Sequence, residues 1–434
     1  MTDILTLDQR HVWHPFTQHK TECAPIAIER TAGASLYTTE GREILDLISS
    51  WWTITHGHSH PALVKALADQ AATMAHVMFS GFTHEPAVQL AKSLSDALGA
   101  PLSKVFFSDN GSTSVEVALK AAYHTWRNKG ESQRTGFIAF EGAYHGDTFG
   151  AMAVGKGSGF FSLYEDLLCD VHIIPYAPTF IGDQSVDEVE QSALKALKTV
   201  LETKGDTIAG LIIEPLFQGA GGMRFCRPDF IRALTEMAQS AGVLVIFDEV
   251  AAGFGRTGTL FAHQQCGVKP DILCLSKGLT AGQLPLSVTV FDEEIFAQFL
   301  GDDFSKALAH GHSFTANPLA CAVANRSLAL FDEERTLEKV HAIEGHHQRF
   351  ASVLARFDTV ARPRVCGSLL AFDLAGEAGA YKSPASLALR DHYLAHGFNI
   401  RPLGGTVYLM PPYCIRDDEL SRAYDGVLAG LATL

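Results

Sequence analysis

The chain has 434 residues, 47% of them hydrophobic, enough to bury a large core and to form about two or three domains. Its 34 basic and 48 acidic residues leave a net charge of −14 with no Lys/Arg block to offset it, which argues against nucleic acid as a partner. The eight cysteines are scattered without paired spacing, unlike a disulfide framework or a zinc site, and with no leader-like start or apolar run of bilayer length a cytoplasmic protein without a membrane partner is expected.

From the N-terminus, "SLYTTEGREILDL" is expected to form a hairpin turning at Glu40-Gly41. The alternating His56, His58 and His60 of "HGHSHP" invite a metal site. Gly57 and Pro61 put them in a loop, however, and no carboxylate lies among them, so the rigid scaffold a metal needs is missing and none is expected. Pro61 then opens a helix in "HPALVKALADQAATMAHVMF". Farther on come seven short β-branched or aromatic runs, separated by longer amphipathic segments: "KVFFSD", "GFIAFE", "VHIIP", "AGLIIEP", "GVLVIFDE", "DILCLSK" and "LSVTVF". Alternation of this kind predicts an α/β fold with a mostly parallel seven-stranded sheet wrapped by helices. The runs are apolar throughout because both faces of such a sheet are covered. In the last hundred residues a helix, "GSLLAFDL", a helix through "SLALRDHYLAHG" and two short strands in "NIRPLGGTVYLMPPY" read as a smaller α+β domain, joined by the N-terminal hairpin. The expected division is a large domain over 50–329 and a small one over 1–49 and 330–434. No internal repeat or low-complexity tract interrupts it.

Ligands of open α/β sheets sit beyond the carboxyl ends of the strands, and four of those ends carry suggestive groups, among them Glu214 of "AGLIIEP", expected to support the site from behind. "KVFFSDNGSTSVEVALKAAY" runs from a strand through Gly111-Ser112-Thr113 into a helix whose apolar face is Val115, Ala118, Leu119 and Ala122. Its free N–H groups make either an ordinary capped start or a phosphate cradle. "GVLVIFDEVAAGFGRTG" ends its strand on Asp248-Glu249, acids that need a cationic or hydrogen-bonding partner. Its Gly253 to Gly258 segment has the spacing of a dinucleotide fingerprint but no helix opening inside it, so it is expected to be a loop presenting Arg256. In "DILCLSKGLTAG", Lys277 directly follows an apolar run. It either marks where a strand meets solvent or holds a partly desolvated, nucleophilic amine. A phosphate cradle, an acid and an amine on one sheet edge are together what pyridoxal 5′-phosphate (PLP) requires.

"DEVAAGFGRTG" and "PDILCLSKGLTAG", in that order and spacing, resemble the class III aminotransferases over nearly the whole chain. "WHPFTQ", "SSWW", "AYHGDTFGAM", "EPLFQGAGGM" and "RPLGGTVYLMPPY" narrow the resemblance to the branch that converts 8-amino-7-oxononanoate to 7,8-diaminononanoate in biotin synthesis, with S-adenosylmethionine as amino donor. The resemblance implies the type I aminotransferase fold, PLP as cofactor and a homodimer with its sites at the subunit interface. It implies Lys277 as the catalytic Schiff-base lysine, Asp248 as partner of the pyridine nitrogen, Gly111 and Ser112 as the phosphate loop and Tyr144 as the aromatic on the ring. Ser313 would contact the phosphate of the neighbouring subunit, and Arg401 would bind the carboxylate of the oxo-acid, with Trp51 and Trp52 along its chain. Asp147, Arg256 and Gly311 complete the expected substrate contacts. Neighbours on extended chain face opposite ways, so one of the two tryptophans is expected to pack in the core. Two positions depart from the branch. Phe16 stands where it has a tyrosine, and Gly311-His312-Ser313 stands where it has Gly-Pro-Thr, as in lysine-using relatives.

Overall fold

The computed structural model describes residues 3–376 and 383–434. Its strands in chain order are β1 (Ile28–Ala32), β2 (Ser35–Thr38), β3 (Glu43–Asp46), β4 (Leu102–Ser108), β5 (Gly136–Phe140), β6 (Val171–Ile174), β7 (Ile208–Ile213), β8 (Phe217–Gln218), β9 (Arg224–Phe225), β10 (Leu244–Asp248), β11 (Ile272–Leu275), β12 (Ser287–Asp292), β13 (Val360–Cys366), β14 (Leu369–Leu374), β15 (Phe398–Asn399) and β16 (Thr406–Leu409).

All seven anticipated runs join one sheet, in the order β4-β12-β11-β10-β7-β5-β6. It is parallel from β11 to β6, while β12 runs antiparallel to both β11 and β4. Every residue of β7, β10 and β11 is buried, and side chains of each strand serve two separate cores, in strict alternation along β10 and β11. Leu211, Ile213, Val245, Phe247, Leu273 and Leu275 pack on one face with the helix Pro228–Ser240. On the other, Ala209, Ile212, Leu244, Ile246, Ile272 and Cys274 pack with the helix Gly111–Asn128. This is why the runs read as continuously apolar: the pleat sends successive side chains into different cores.

The N-terminal hairpin forms where expected, β2 pairing with β3 around Gly41, which takes φ 81° in the turn. The two short strands near the C-terminus part company. β15 runs parallel to β3, with Phe398 level with Leu45, and so ties the hairpin to the C-terminal region. β16 instead completes a three-stranded sheet with β13 and β14. The helix opened by Pro61 stops at Thr73, where Met74 turns extended. No described helix is long and apolar enough to cross a membrane.

The histidines of the loop before that helix are each taken up separately. His56 Nε2 meets the Ser327 carbonyl at 3.0 Å, His58 Nε2 meets Asp46 at 2.8 Å and His60 Nε2 meets Glu334 at 2.9 Å. All eight cysteines are free; Cys23 and Cys169 lie exposed and the other six are buried or half-buried.

Candidate active site

The carboxyl ends of β4, β5, β7, β10 and β11 converge on a cavity of about 650 Å³. Lys277, Asp248, Gly111, Ser112, Tyr144 and Asp147 all line it. Asp248 is level with Cys274 on the adjacent strand, three residues before Lys277. The amine of Lys277 lies at the cavity wall 4.9 Å from the Trp52 ring centroid. Burial lowers its proton affinity, against the opposing pull of Asp248 and Glu214; a larger neutral fraction is what a nucleophile or general base needs.

Asp248 is held from two sides. Its Oδ1 accepts the Val250 N–H at 3.0 Å, and its Oδ2 lies 2.7 Å from His145 Nδ1. His145 is buried, and its other ring nitrogen has no partner among the described residues. With the carboxylate accepting at Nδ1, the histidine supplies a donor there, and the acid is oriented without consuming its remaining lone pairs. Nearby Glu214 is also buried, accepting the N–H groups of Tyr144 at 3.1 Å and Gly219 at 3.0 Å. Burial pushes its pKa up to about 7, Asp248 adds to the rise, and His145 with the two N–H groups counters it.

The helix Gly111–Asn128 starts at the cavity with Asn110 as its cap, Asn110 Oδ1 accepting the Thr113 N–H at 3.1 Å. The N–H groups before Thr113 have no acceptor within the helix. Two glycines make the cradle possible. A Cβ on Gly146 (φ 123°) would fall 2.3 Å from Ser112 Oγ, and one on Gly111 would fall 2.6 Å from Val250 Cγ1. Ser112 Oγ instead meets Thr148, accepting its N–H at 3.0 Å and lying 2.7 Å from its hydroxyl. From the far side, the Ser287 hydroxyl donates to the Asn110 carbonyl at 2.7 Å and that of Ser276 to the Leu286 carbonyl at 2.8 Å.

An outer pocket of about 420 Å³ shares Tyr144, Trp52 and Lys277 with this cavity and adds Phe16, Trp51 and Arg401. Tyr144 donates to Asp147 at 3.0 Å and stacks on Phe161. The Arg401 guanidinium lies 5.3 Å from the Trp51 ring centroid, and Phe16 meets the same ring edge-on. The tryptophans sit on a turn rather than on extended chain: Ser49, Ser50, Trp51 and Trp52 have φ of 50°, 44°, 69° and 73°. Such a left-handed run of non-glycine residues costs of order 1 kcal/mol per residue. The two rings still diverge. Trp52 is buried with its Nε1 donating to the Tyr408 hydroxyl at 3.1 Å, whereas Trp51 is 41% exposed.

Three expected contacts lie elsewhere. Arg256, expected to be presented to substrate, is only 1% exposed and lines neither pocket. Its guanidinium donates to the carbonyls of Trp52, Ile54 and Pro411, the last two at 2.7 and 3.2 Å. The loop glycines fold that arginine inward, where backbone carbonyls solvate it. Gly311 and Ser313 are exposed and line neither pocket of their own chain. Between them His312 Nδ1 lies 3.2 Å from Asp109, at the cavity margin. Conversely, His145 and Glu214 shape the site more than the sequence suggested. The only signals were the polar density of "AYHGD" and an acid at a strand end.

PLP needs an amine for its aldehyde, an acid for its ring nitrogen and N–H donors for its phosphate, and the residues gathered here fit that demand. Gly146 and Gly111 let Ser112 and Val250 pack directly against their backbones at the cavity, and the unpartnered His145 nitrogen marks a buried polar wall. A mostly parallel seven-stranded sheet bearing this set at its carboxyl edge defines a PLP-dependent aminotransferase of the type I fold.

The family is narrower. The profile of the class III aminotransferases matches residues 16–429, and the chain belongs to that family. It is 48% identical to the adenosylmethionine-8-amino-7-oxononanoate aminotransferase of Synechococcus elongatus, over 96% of this chain and 97% of that one. The enzyme of the same name from Geobacter sulfurreducens is 38% identical over 98% and 97% of the two chains. Among solved structures, that of the Methanocaldococcus jannaschii enzyme of this name superposes with a TM-score of 0.92 at 32% identity, covering 99% of this chain and 98% of that one. A PLP-bound amine transaminase from an uncultivated Pseudomonas species gives 0.91 at 28% identity, covering 98% of each.

Proposed function

We propose that the protein transfers an amino group to 8-amino-7-oxononanoate, giving 7,8-diaminononanoate for biotin synthesis, with S-adenosylmethionine as donor. The observation that carries this reading is the outer pocket, where apolar walls lead from Lys277 to Arg401. A long acid with an apolar middle and a terminal carboxylate fits flat walls ending in a cation. The names of the relatives agree with it.

Bound PLP supplies an electrophilic carbon and a ring that accepts the electron pair released at the amine-bearing carbon. Lys277 would hold the cofactor through its amine and, when that amine is free, would take up and return the proton at the amine-bearing carbon of the substrate. Asp248, oriented by His145, holds the proton on the ring nitrogen. Tyr144 covers the ring, and the start of the helix Gly111–Asn128, with Ser112, receives the phosphate. Arg401 pairs with the carboxylate of the oxo-acid, Trp51 and Trp52 flank its chain, and Asp147 faces the donor's positive charge.

The working unit is a homodimer in the cytoplasm, in which Gly311 and Ser313 reach the partner's site. Exposed Met78, Phe82, Phe149, Phe304 and Phe314 support an apolar subunit interface. The chain divides into a large domain over 50–329 and a small one over 1–49 and 330–434, the latter supported by the pairing of β15 with β3.

The test is to incubate the PLP-loaded protein with the oxo-acid and S-adenosylmethionine and look for the diamine by mass spectrometry. Absence of diamine with every donor rejects the acceptor. Phe16, edge-on to Trp51 and without a hydroxyl, favours lysine as a second donor reading, so lysine forms the parallel arm. Diamine from lysine alone replaces the donor while leaving the acceptor.

A further inference from the structure

Behind the outer pocket lies a buried carboxylate that lines neither cavity. Asp46, at the end of β3, is 0% exposed, yet it gathers side chains from three separate segments. Its Oδ2 accepts the Ser50 hydroxyl at 2.7 Å and meets His58 Nε2 at 2.8 Å, and its Oδ1 accepts the Asn399 amide at 2.9 Å. Ser50 and Asn399 both line the outer pocket. Ser50 belongs to the left-handed turn that aims Trp51 and Trp52, and Asn399 lies two residues before Arg401 on the strand paired with β3, where it is level with Asp46 itself.

We propose that Asp46 is a positioning residue for the acceptor pocket, setting the Trp51-Trp52 turn through Ser50 and the placement of Arg401 through Asn399. The backbone around Ser50 gives the reason. A run of residues in the left-handed region relaxes unless surrounding contacts over-determine it. Two other contacts hold the ends of the run: the Ser49 hydroxyl donates to the Met410 carbonyl at 2.7 Å, and the Trp52 indole donates to Tyr408. Asp46 fastens the middle. A buried acid is stable only when donors surround it, so the same three donors that satisfy Asp46 are fixed by it. Two come from the pocket wall, and His58 braces the carboxylate from behind.

This inference rests on the reading that the outer pocket takes the oxo-acid, and its experiment separates the two. Asp46→Asn keeps the shape but replaces one accepting oxygen by a donating amide and removes the charge, so Ser50 must reverse its hydroxyl and the wall is held less firmly. In the PLP-loaded enzyme, KM for 8-amino-7-oxononanoate is expected to rise about tenfold with kcat within about twofold, since small misplacements of binding groups are costly. Arg401→Ala is the comparator. If Arg401→Ala leaves that KM unchanged, the reading of the pocket fails. If Arg401→Ala raises it and Asp46→Asn lowers only the melting temperature, Asp46 is merely structural and the proposal is overturned. Should Asp46→Asn not fold, Ser50→Ala carries the test, because it removes one link and leaves the acid two donors. A rise in KM of about threefold at constant kcat is then expected, and an unchanged KM overturns the proposal.

Discussion

Lys277 and Asp248 stand at the ends of adjacent strands of one sheet, whereas Trp51 and Arg401 come from opposite ends of the chain and meet beside the pairing of β15 with β3. The inner cavity inherits its geometry from a hydrogen-bonded ladder covered on both faces. The outer pocket inherits its own from a left-handed turn, a short strand and one buried carboxylate. Chemistry that tolerates no displacement is built on the rigid element. On the proposed function, substrate selection is built on parts that single side chains can shift.

If that division holds, the largest losses come from the inner cavity. Lys277→Ala should abolish transamination in a folded protein, and borohydride should no longer fix cofactor to the chain; retained turnover would place the reactive amine elsewhere. Asp248→Asn should slow both half-reactions, on the order of a hundredfold, because a preorganised charge at the reacting ring is lost. Single-turnover traces with donor and with acceptor check this, and slowing of only one half would make Asp248 a substrate contact. Arg401→Ala tests the outer pocket: use of the oxo-acid should weaken at least about tenfold while the donor half-reaction is spared. Equal damage to both would erase the distinction between the two regions.

Smaller effects sharpen it. Glu214 has a folded-state pKa of about 7, above its ordinary 4.5. The stability it contributes is therefore complete below about pH 4.5 and is lost as pH rises toward 7, on the order of 3 kcal/mol. Urea unfolding of the cofactor-free protein should show this decline, and Glu214→Gln should flatten it. Smallest is Phe16→Tyr, which restores a hydroxyl at the pocket mouth and should speed single turnover with S-adenosylmethionine a few-fold, the yield of one net hydrogen bond. No gain would mean that position 16 does not touch the donor.

The same two regions differ in how far they can be read from the chain. The seven apolar runs became the sheet because continuous burial leaves a local signature, and Asp248 and Lys277 were visible as polar residues ending such runs. The outer pocket left no comparable mark. Nothing in "SSWW" announces a left-handed turn, since no glycine or asparagine sits there, and the turn exists through contacts with Met410 and Tyr408. Arg256 misled for a related reason: a charged residue in a glycine-rich loop suggests exposure, whereas carbonyls distant in sequence draw it inside. His145 stands in the polar stretch "AYHGD", but its partner lies 103 positions away.

One feature of the large sheet fixes more than its topology. Because β12 runs backwards between β11 and β4, its first residue meets the cavity edge just where those two strands end, and Ser287 can clasp Asn110 while Ser276 clasps Leu286. The strand leading to Lys277 and the strand feeding the helix Gly111–Asn128 are thus kept two inter-strand spacings apart, about 10 Å, with the strand of Asp248 one spacing to the other side. The sheet works as a ruler of fixed pitch. Loop substitutions can turn a side chain toward or away from the cofactor, but the separations themselves change only if a strand is gained or lost.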